Sequence, residues 1–234
     1  MLFEFTIKRQ KRKTMALHVL DDASVEVRVP KWLAKREIDR FVKERSDWVV
    51  QQQQKRQQRL AAKPRFTQSE RHPYLGQSLP LNIQAAGRNS VTVTDAAINL
   101  WAREPEDPQF IQSLLKEGYR AHAKKLFAER LQHFFSIMTL SCPKPELKVR
   151  VMKRRWGSCA SKVTSNKKSA SKSTITLNLE LMKYPLDCID YVVVHELCHL
   201  LEMNHSPQFY SHIAKVIPDW RKHELLLEQL ALDH

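Results

Sequence analysis

The sequence predicts an α+β protein: a small β-rich N-terminal part plus helices at 1–72, then a larger part at 73–234 whose chemistry sits on a helix. Three observations lead there. Short segments at 24–29 (SVEVRV), 147–152 (LKVRVM) and 174–179 (TITLNL) alternate apolar and polar, the pattern of half-buried strands. Longer segments at 31–60 and 108–138 repeat apolar residues at three- and four-residue steps, the pattern of helices with one buried face. The chain has 234 residues, 42% hydrophobic and 27% charged, which is ordinary globular usage and enough chain for a real core.

Taken in order, 3–8 and 14–20 read as strands joined by a basic turn, and 24–29 as a third strand that Pro30 stops. The helix at 31–60 carries Trp32, Leu33, Ile38, Phe41, Val42, Trp48 and Val49 on its apolar stripe. Its tail, QQQQKRQQRL, is polar all round and reads as a solvated helix end or linker. Residues 73–101 hold short strands around Gly76 and Gly87, in the manner of a small meander. Asp107-Pro108 opens a long helix to about Met138, because proline is tolerated at the first helical position. Two strands, 147–152 and 174–179, flank a basic loop. Pro185 starts a helix through about Met203, Ser206-Pro207 caps and opens another, and Asp219 opens the last.

Charge is uneven. The formal net charge is +14, yet 173–234 carries 4 basic against 9 acidic residues. Residues 148–172 carry 9 basic residues and no acid. Such a block reads either as a solvated loop or as a docking surface for anions, nucleic acid included. Arg154 and Arg155 beside Trp156 form a group able to clamp and stack on a ligand. No apolar run approaches the length of a membrane span, and charges fall where a secretory signal would need its apolar stretch. Four cysteines (Cys142, Cys159, Cys188, Cys198), none in a CxxC pair, read as reduced thiols of a cytoplasmic protein with no membrane partner.

The informative stretch is Tyr191–Tyr210, YVVVHELCHLLEMNHSPQFY. His195 and His199 are one helical turn apart on one face, a spacing that suits two ligands of one cation. Glu196 lies beside them, placed to take a proton from water. His205 is the third candidate ligand. In a continuous helix it would point away, so the helix must end first, and Met203-Asn204 offers the place because Asn tolerates a left-handed conformation. Against this stands the plainer reading of each histidine as a packed core residue. His223-Glu224-Leu225-Leu226-Leu227 begins like the motif but has no second histidine, and it reads as helix surface. Cys198 reads as core packing. Three imidazoles favour one Zn²⁺ per chain, with other divalent metals open, and the reaction type they favour is hydrolysis.

These residues make the chain resemble the YgjP-like metal-dependent hydrolases, related to SprT-like proteins and other zincin metallopeptidases. RKTMALHVLDDASVEVRVPKWL and DRFVKERSDWV resemble the family's N-terminal strands and Trp-containing helix. RRWGSC at 154–159 resembles its RWGSC signature, and the 191–210 stretch its metal site. The resemblance implies a zincin-like domain over 73–234, with His195, His199 and His205 as zinc ligands and Glu196 as catalytic base. The Lys/Ser loop at 160–173 is longer than the family's usual turn.

The expected function is a zinc-dependent hydrolase of the metallopeptidase type, in which metal-activated water attacks a peptide carbonyl with Glu196 as general base. Strand 174–179 would offer the edge on which a peptide pairs. One alternative is a nucleoside triphosphate (UTP-like) pyrophosphatase at the same site, with Lys153, Arg154, Arg155, Trp156 and Lys162 around the nucleotide. Another is a DNA-associated zinc module binding through 148–172.

Overall fold

Val25, Val27 and Val29 are buried while Glu26 and Arg28 between them are partly exposed. That alternation places β3 (Val25–Pro30) at the centre of a three-stranded sheet. Its neighbours are β1 (Thr6–Gln10), which runs parallel to it, and β2 (Ala16–Val19), which runs antiparallel. The two strands joined by the basic turn therefore do not pair with each other; β3 lies between them. The basic turn carries the chain past the later β3, the most buried of the three, whose Val27 and Val29 pack with Ile38 and Val42 of the helix that follows. The computed structural model describes residues 3–61, 64–162 and 172–232.

The single helix expected at 31–60 is two: α1 (Lys35–Lys43) and α2 (Ser46–Ala61). At the break the Arg45 N–H donates to Val42 O, tightening the turn. The Arg45 guanidinium folds back over the Phe41 ring at 4.0 Å and donates to the Phe41 carbonyl, which satisfies an acceptor the broken ladder leaves free. Ile38 and Val42 are fully buried with Val27, Val29 and Leu33; each such side chain contributes about 1.5–3 kcal/mol. Trp32 and Trp48, counted in the stripe, are instead 75% and 46% exposed.

The chain divides into compact units Met1–Pro64 and Arg65–His234. The division precedes residue 72 because β4 (Arg71–Tyr74) pairs with β5 (Gln77–Ala85) and so belongs to the second unit. β6 (Ser90–Val93) and β7 (Ile98–Ala102) complete a sheet of order β4-β5-β7-β6. β5 and β7 are parallel, so this is no simple meander.

Helix α3 (Pro108–Ile137) begins as its sequence requires, with the Asp107 carboxylate accepting the Gln109 N–H at 2.8 Å. Ile111, Leu115, Tyr119, Ala123, Phe127, Leu131 and Phe134 are buried along one stripe. Gly118 lies on the same face, where a Cβ would overlap the Val91 side chain on β6.

The site-bearing sheet has order β8-β10-β9, from β8 (Glu146–Arg150), β9 (Gly157–Lys162) and β10 (Lys172–Asn178). β8 is parallel to β10 and β9 antiparallel. β9 lies inside the stretch expected as loop, because Gly-Ser-Cys-Ala-Ser-Lys has no apolar alternation to announce a strand. The Lys/Ser run at 163–171 lies outside the described residues. β10 is the central strand, so it offers no free edge. After a 3-10 turn (Leu179–Lys183) come α4 (Leu186–Cys198), α5 (Pro207–Val216) and α6 (Trp220–Leu232). α4 is the hub and touches α3, α5, α6, β9 and β10. A bidentate Arg130–Asp190 pair, 2.5 and 2.7 Å, ties α3 to α4. The second unit is thus mixed helix and sheet, and the whole chain is α+β. Among the described residues no helix is long and apolar enough to cross a membrane.

Candidate metal centre

Val192, Val193 and Val194 bury the start of the motif within the core, so the next turn of α4 brings His195 and His199 to its end. There the helix tightens. Leu200 N–H donates to Leu197 O, and the Cys198 carbonyl takes both Leu201 N–H and Glu202 N–H. The helix therefore ends at Cys198, several residues before the expected Met203-Asn204. Asn204 is not left-handed. Its N–H is met by Glu202 Oε1 at 3.3 Å and its carbonyl by Ser206 N–H at 2.8 Å. This hydrogen-bonded bend aims His205 back at α4.

The result is a compact triad. The candidate ligand atoms of His195, His199 and His205 all lie within 4.8 Å of one another, a grouping that can hold a metal ion. His195 Nε2 and His205 Nε2 are 3.1 Å apart. The Glu202 carbonyl lies 3.2 Å from His199 Nδ1; the proton there fixes the tautomer that leaves Nε2 free as a ligand. Burial is the main force lowering the pKa of His195, to about 3, and of His199. Both imidazoles are thus neutral near pH 7, as metal ligands must be. Phe209, fully buried, packs its ring 4.9, 4.7 and 4.7 Å from the three imidazole centroids. It forms an apolar floor, held where α5 begins by Phe209 N–H donating to Ser206 Oγ. No further His, Cys, Asp or Glu joins the triad among the described residues.

Glu196 is 4% exposed, and its Oε2 has no hydrogen-bond partner among the described residues. Burial pushes its carboxyl up to about 8, against the opposing field of Arg155. An ideal Cβ on Gly157 would overlap Glu196 Oε1. The carboxylate can lie here only because RWGSC has no side chain at that point. His195, Glu196, His199 and His205 face one cavity of about 580 Å³.

A family model, YgjP-like, metallopeptidase domain, matches residues 13–230. The chain belongs to the YgjP-like family. Membership makes it a metal-dependent hydrolase of the zincin type. No curated protein matches it. The family's match spans both compact units, and its metallopeptidase character accords with a histidine triad able to hold a cation.

The basic residues singled out from sequence divide between two places. Arg155 and Trp156 line the triad's cavity, whereas Lys153 and Arg154 line an adjoining cavity of about 550 Å³ that shares Arg155 and Trp156. Several lining residues escaped the sequence reading. Glu224, expected as plain helix surface, lines the triad's cavity with Glu228, and Tyr191 O–H donates to Glu224 Oε1 at 2.9 Å. Its neighbour His223 is buried, at 7%. The available signal was the one-turn spacing of Glu224 and Glu228 around buried Leu227. Cys159 also lines the cavity, and burial raises its thiol to about 11, so it is a protonated wall residue near pH 7.

Proposed function

We propose that this YgjP-like protein is a cytoplasmic zinc-dependent peptidase, with His195, His199 and His205 as the ligands and Glu196 as general base. The observation that carries it is the pairing of that triad, in one cavity, with a buried carboxylate oxygen that has no partner among the described residues. The donor set fits zinc. Zn–N bonds of about 2.0–2.1 Å put tetrahedral ligand nitrogens about 3.3 Å apart, close to the 3.1 Å between His195 and His205. Three ligands leave a position open, as catalytic rather than structural sites do. When bound, the cation supplies Lewis-acid polarisation of water and of the scissile carbonyl.

The chain's own residues do the rest. Glu196 Oε2 accepts one proton of the attacking water as its oxygen bonds to the carbonyl carbon. Burial gives that oxygen the proton affinity a base needs, and the field of Arg155 opposes the rise. The same carboxyl then returns the proton to the departing amine nitrogen as the C–N bond breaks. Phe209 and the buried face of α4 keep the dielectric low, which strengthens each of these interactions. β9 is an outer strand of its sheet, and Ser158 and Cys159 on it line the cavity. It offers the backbone edge for an extended peptide that β10, held between two strands, does not.

The pyrophosphatase reading draws on Lys153, Arg154 and Arg155 beside the cavity. Glu224 and Glu228 facing the same space count against a polyanion. The test is zinc-loaded protein, at one equivalent by elemental analysis, incubated with casein and separately with nucleoside triphosphates. Expected are peptide products, with Glu196→Gln keeping the metal and losing about 10²–10⁴-fold in kcat. Pyrophosphate release without peptide products overturns the peptidase reading. Salt-sensitive DNA binding with neither product would leave the zinc-module reading instead.

A further inference from the structure

We infer that the loop 152–156 forms an anion subsite that takes an acidic side chain of the substrate, next to the bond that is cut; the inference rests on the peptidase reading. Three observations converge on it. The first is how the loop is built. Asn178, only 3% exposed, spends its whole amide on this loop and its own turn. Oδ1 accepts from Met152 N–H and Glu180 N–H, each at 3.2 Å, while Nδ2 donates to Met152 O at 2.9 Å and Arg155 O at 3.0 Å. The Asn178 N–H donates to Trp156 O at 2.8 Å. A single buried amide thus fixes the backbone of a segment whose side chains are mostly charged. Packing does not require such a frame for solvated lysine and arginine, whereas displaying them to a ligand does.

The second observation is the cavity that the frame encloses. It is lined by Lys153, Arg154, Arg155 and Lys183, with Trp156 and Tyr184 meeting edge to face at 4.8 Å. Glu180 is the acid there and is paired with Lys183 at 2.5 Å. Lys153 and Arg154 have no hydrogen bond or ion pair among the described residues. A planar guanidinium beside an aromatic wall suits a carboxylate, which it can bind through two parallel N–H bonds.

The third observation selects the occupant. Arg155 and Trp156 line both cavities, so one extended ligand reaches from the triad into the basic cavity. At the triad the opposing wall is acidic, with Glu224 and Glu228. A polyphosphate would be repelled there. A peptide meets both walls, because the carboxylate belongs to one residue and the rest of the chain is neutral or basic.

Short labelled peptides carrying one Glu, Gln or Lys moved along a neutral background test this, by fluorescence anisotropy on zinc-loaded Glu196→Gln protein. Expected is one position where Glu binds about 10-fold or more tighter than Gln, the weight of a charge-assisted hydrogen bond. Joint Lys153→Glu and Arg154→Glu substitution should turn that preference toward Lys. Asn178→Ala, checked for cooperative unfolding, should shrink the Glu/Gln ratio without abolishing binding of the Gln peptide. Equal binding of Glu and Gln peptides at every position, or a ratio untouched by the charge reversal, overturns the subsite. Inorganic tripolyphosphate binding more tightly than any Glu peptide overturns the peptide occupant. If the Glu preference and its reversal hold but wild-type protein cuts none of the peptides, the subsite stands and the peptidase reading falls.

Discussion

At the scale of single residues, the site depends on an absence as much as on a presence. Glu196 occupies the space a side chain at 157 would fill, with Oε1 overlapping an ideal Cβ there. Gly157→Ala therefore pushes the carboxylate aside while leaving the three imidazoles in place. Displacing a catalytic group by about 1 Å costs on the order of 10²-fold, so kcat should fall by that much with metal content unchanged. Equal turnover by the alanine variant would mean that Glu196 need not sit where it does. The histidine triad and Glu196 were legible because helical periodicity alone puts 195 and 199 on one face and demands a bend before 205. The reason for Gly157 was not, since it lies in a contact between β9 and α4 that no local pattern encodes. Phe209 was equally hidden: its ring floors the triad, but in sequence it is one more apolar residue of an amphipathic helix.

At the scale of elements, the legible parts are those whose signals are local. Asp107-Pro108 opens α3 and Ser206-Pro207 opens α5, each through the side-chain cap that the residue types announce. Val25, Val27 and Val29 mark β3 by alternation. What was lost is strand order and the weak strand. The parallel pairs β1–β3, β5–β7 and β8–β10 depend on partners far along the chain, and β9 has no apolar pattern of its own. The cap at Ser206 links both kinds of information, because it ends the bend that carries His205 and fixes Phe209 N–H. Ser206→Ala should cost about 1 kcal/mol, a Tm loss of about 2–4 °C in a chain this size. It should also weaken metal affinity, by loosening one ligand and the ring beneath all three. Calorimetry and a competitive zinc titration measure the two effects. An unchanged affinity alongside a lowered Tm would separate the cap from the site.

At the scale of the molecule, a net charge of +14 is carried on a chain whose last quarter is acidic. Two histidines outside the triad set a pH limit on stability. His72 is 4% exposed, stacked on Phe66 at 5.1 Å, with Glu70 3.6 Å away. His122 lies 3.2 Å from the Tyr74 hydroxyl. Burial lowers the pKa of both below the ordinary 6.5, more than Glu70 raises that of His72. As pH falls, the unfolded chain takes up these protons before the folded chain does. The stability that comes with neutral, buried imidazoles is therefore complete above 6.5 and is lost as pH drops through the folded values. His72→Phe keeps the stacking surface and removes one of the two titrations. The urea midpoint of the parent should fall more steeply than that of the variant between pH 6.5 and about 5, with both proteins at the same metal content so that the triad's own protonation cancels in the difference. Parallel pH profiles for the two proteins would show that His72 takes up its proton as easily in the fold as in water, and would remove burial as the cause of its shift.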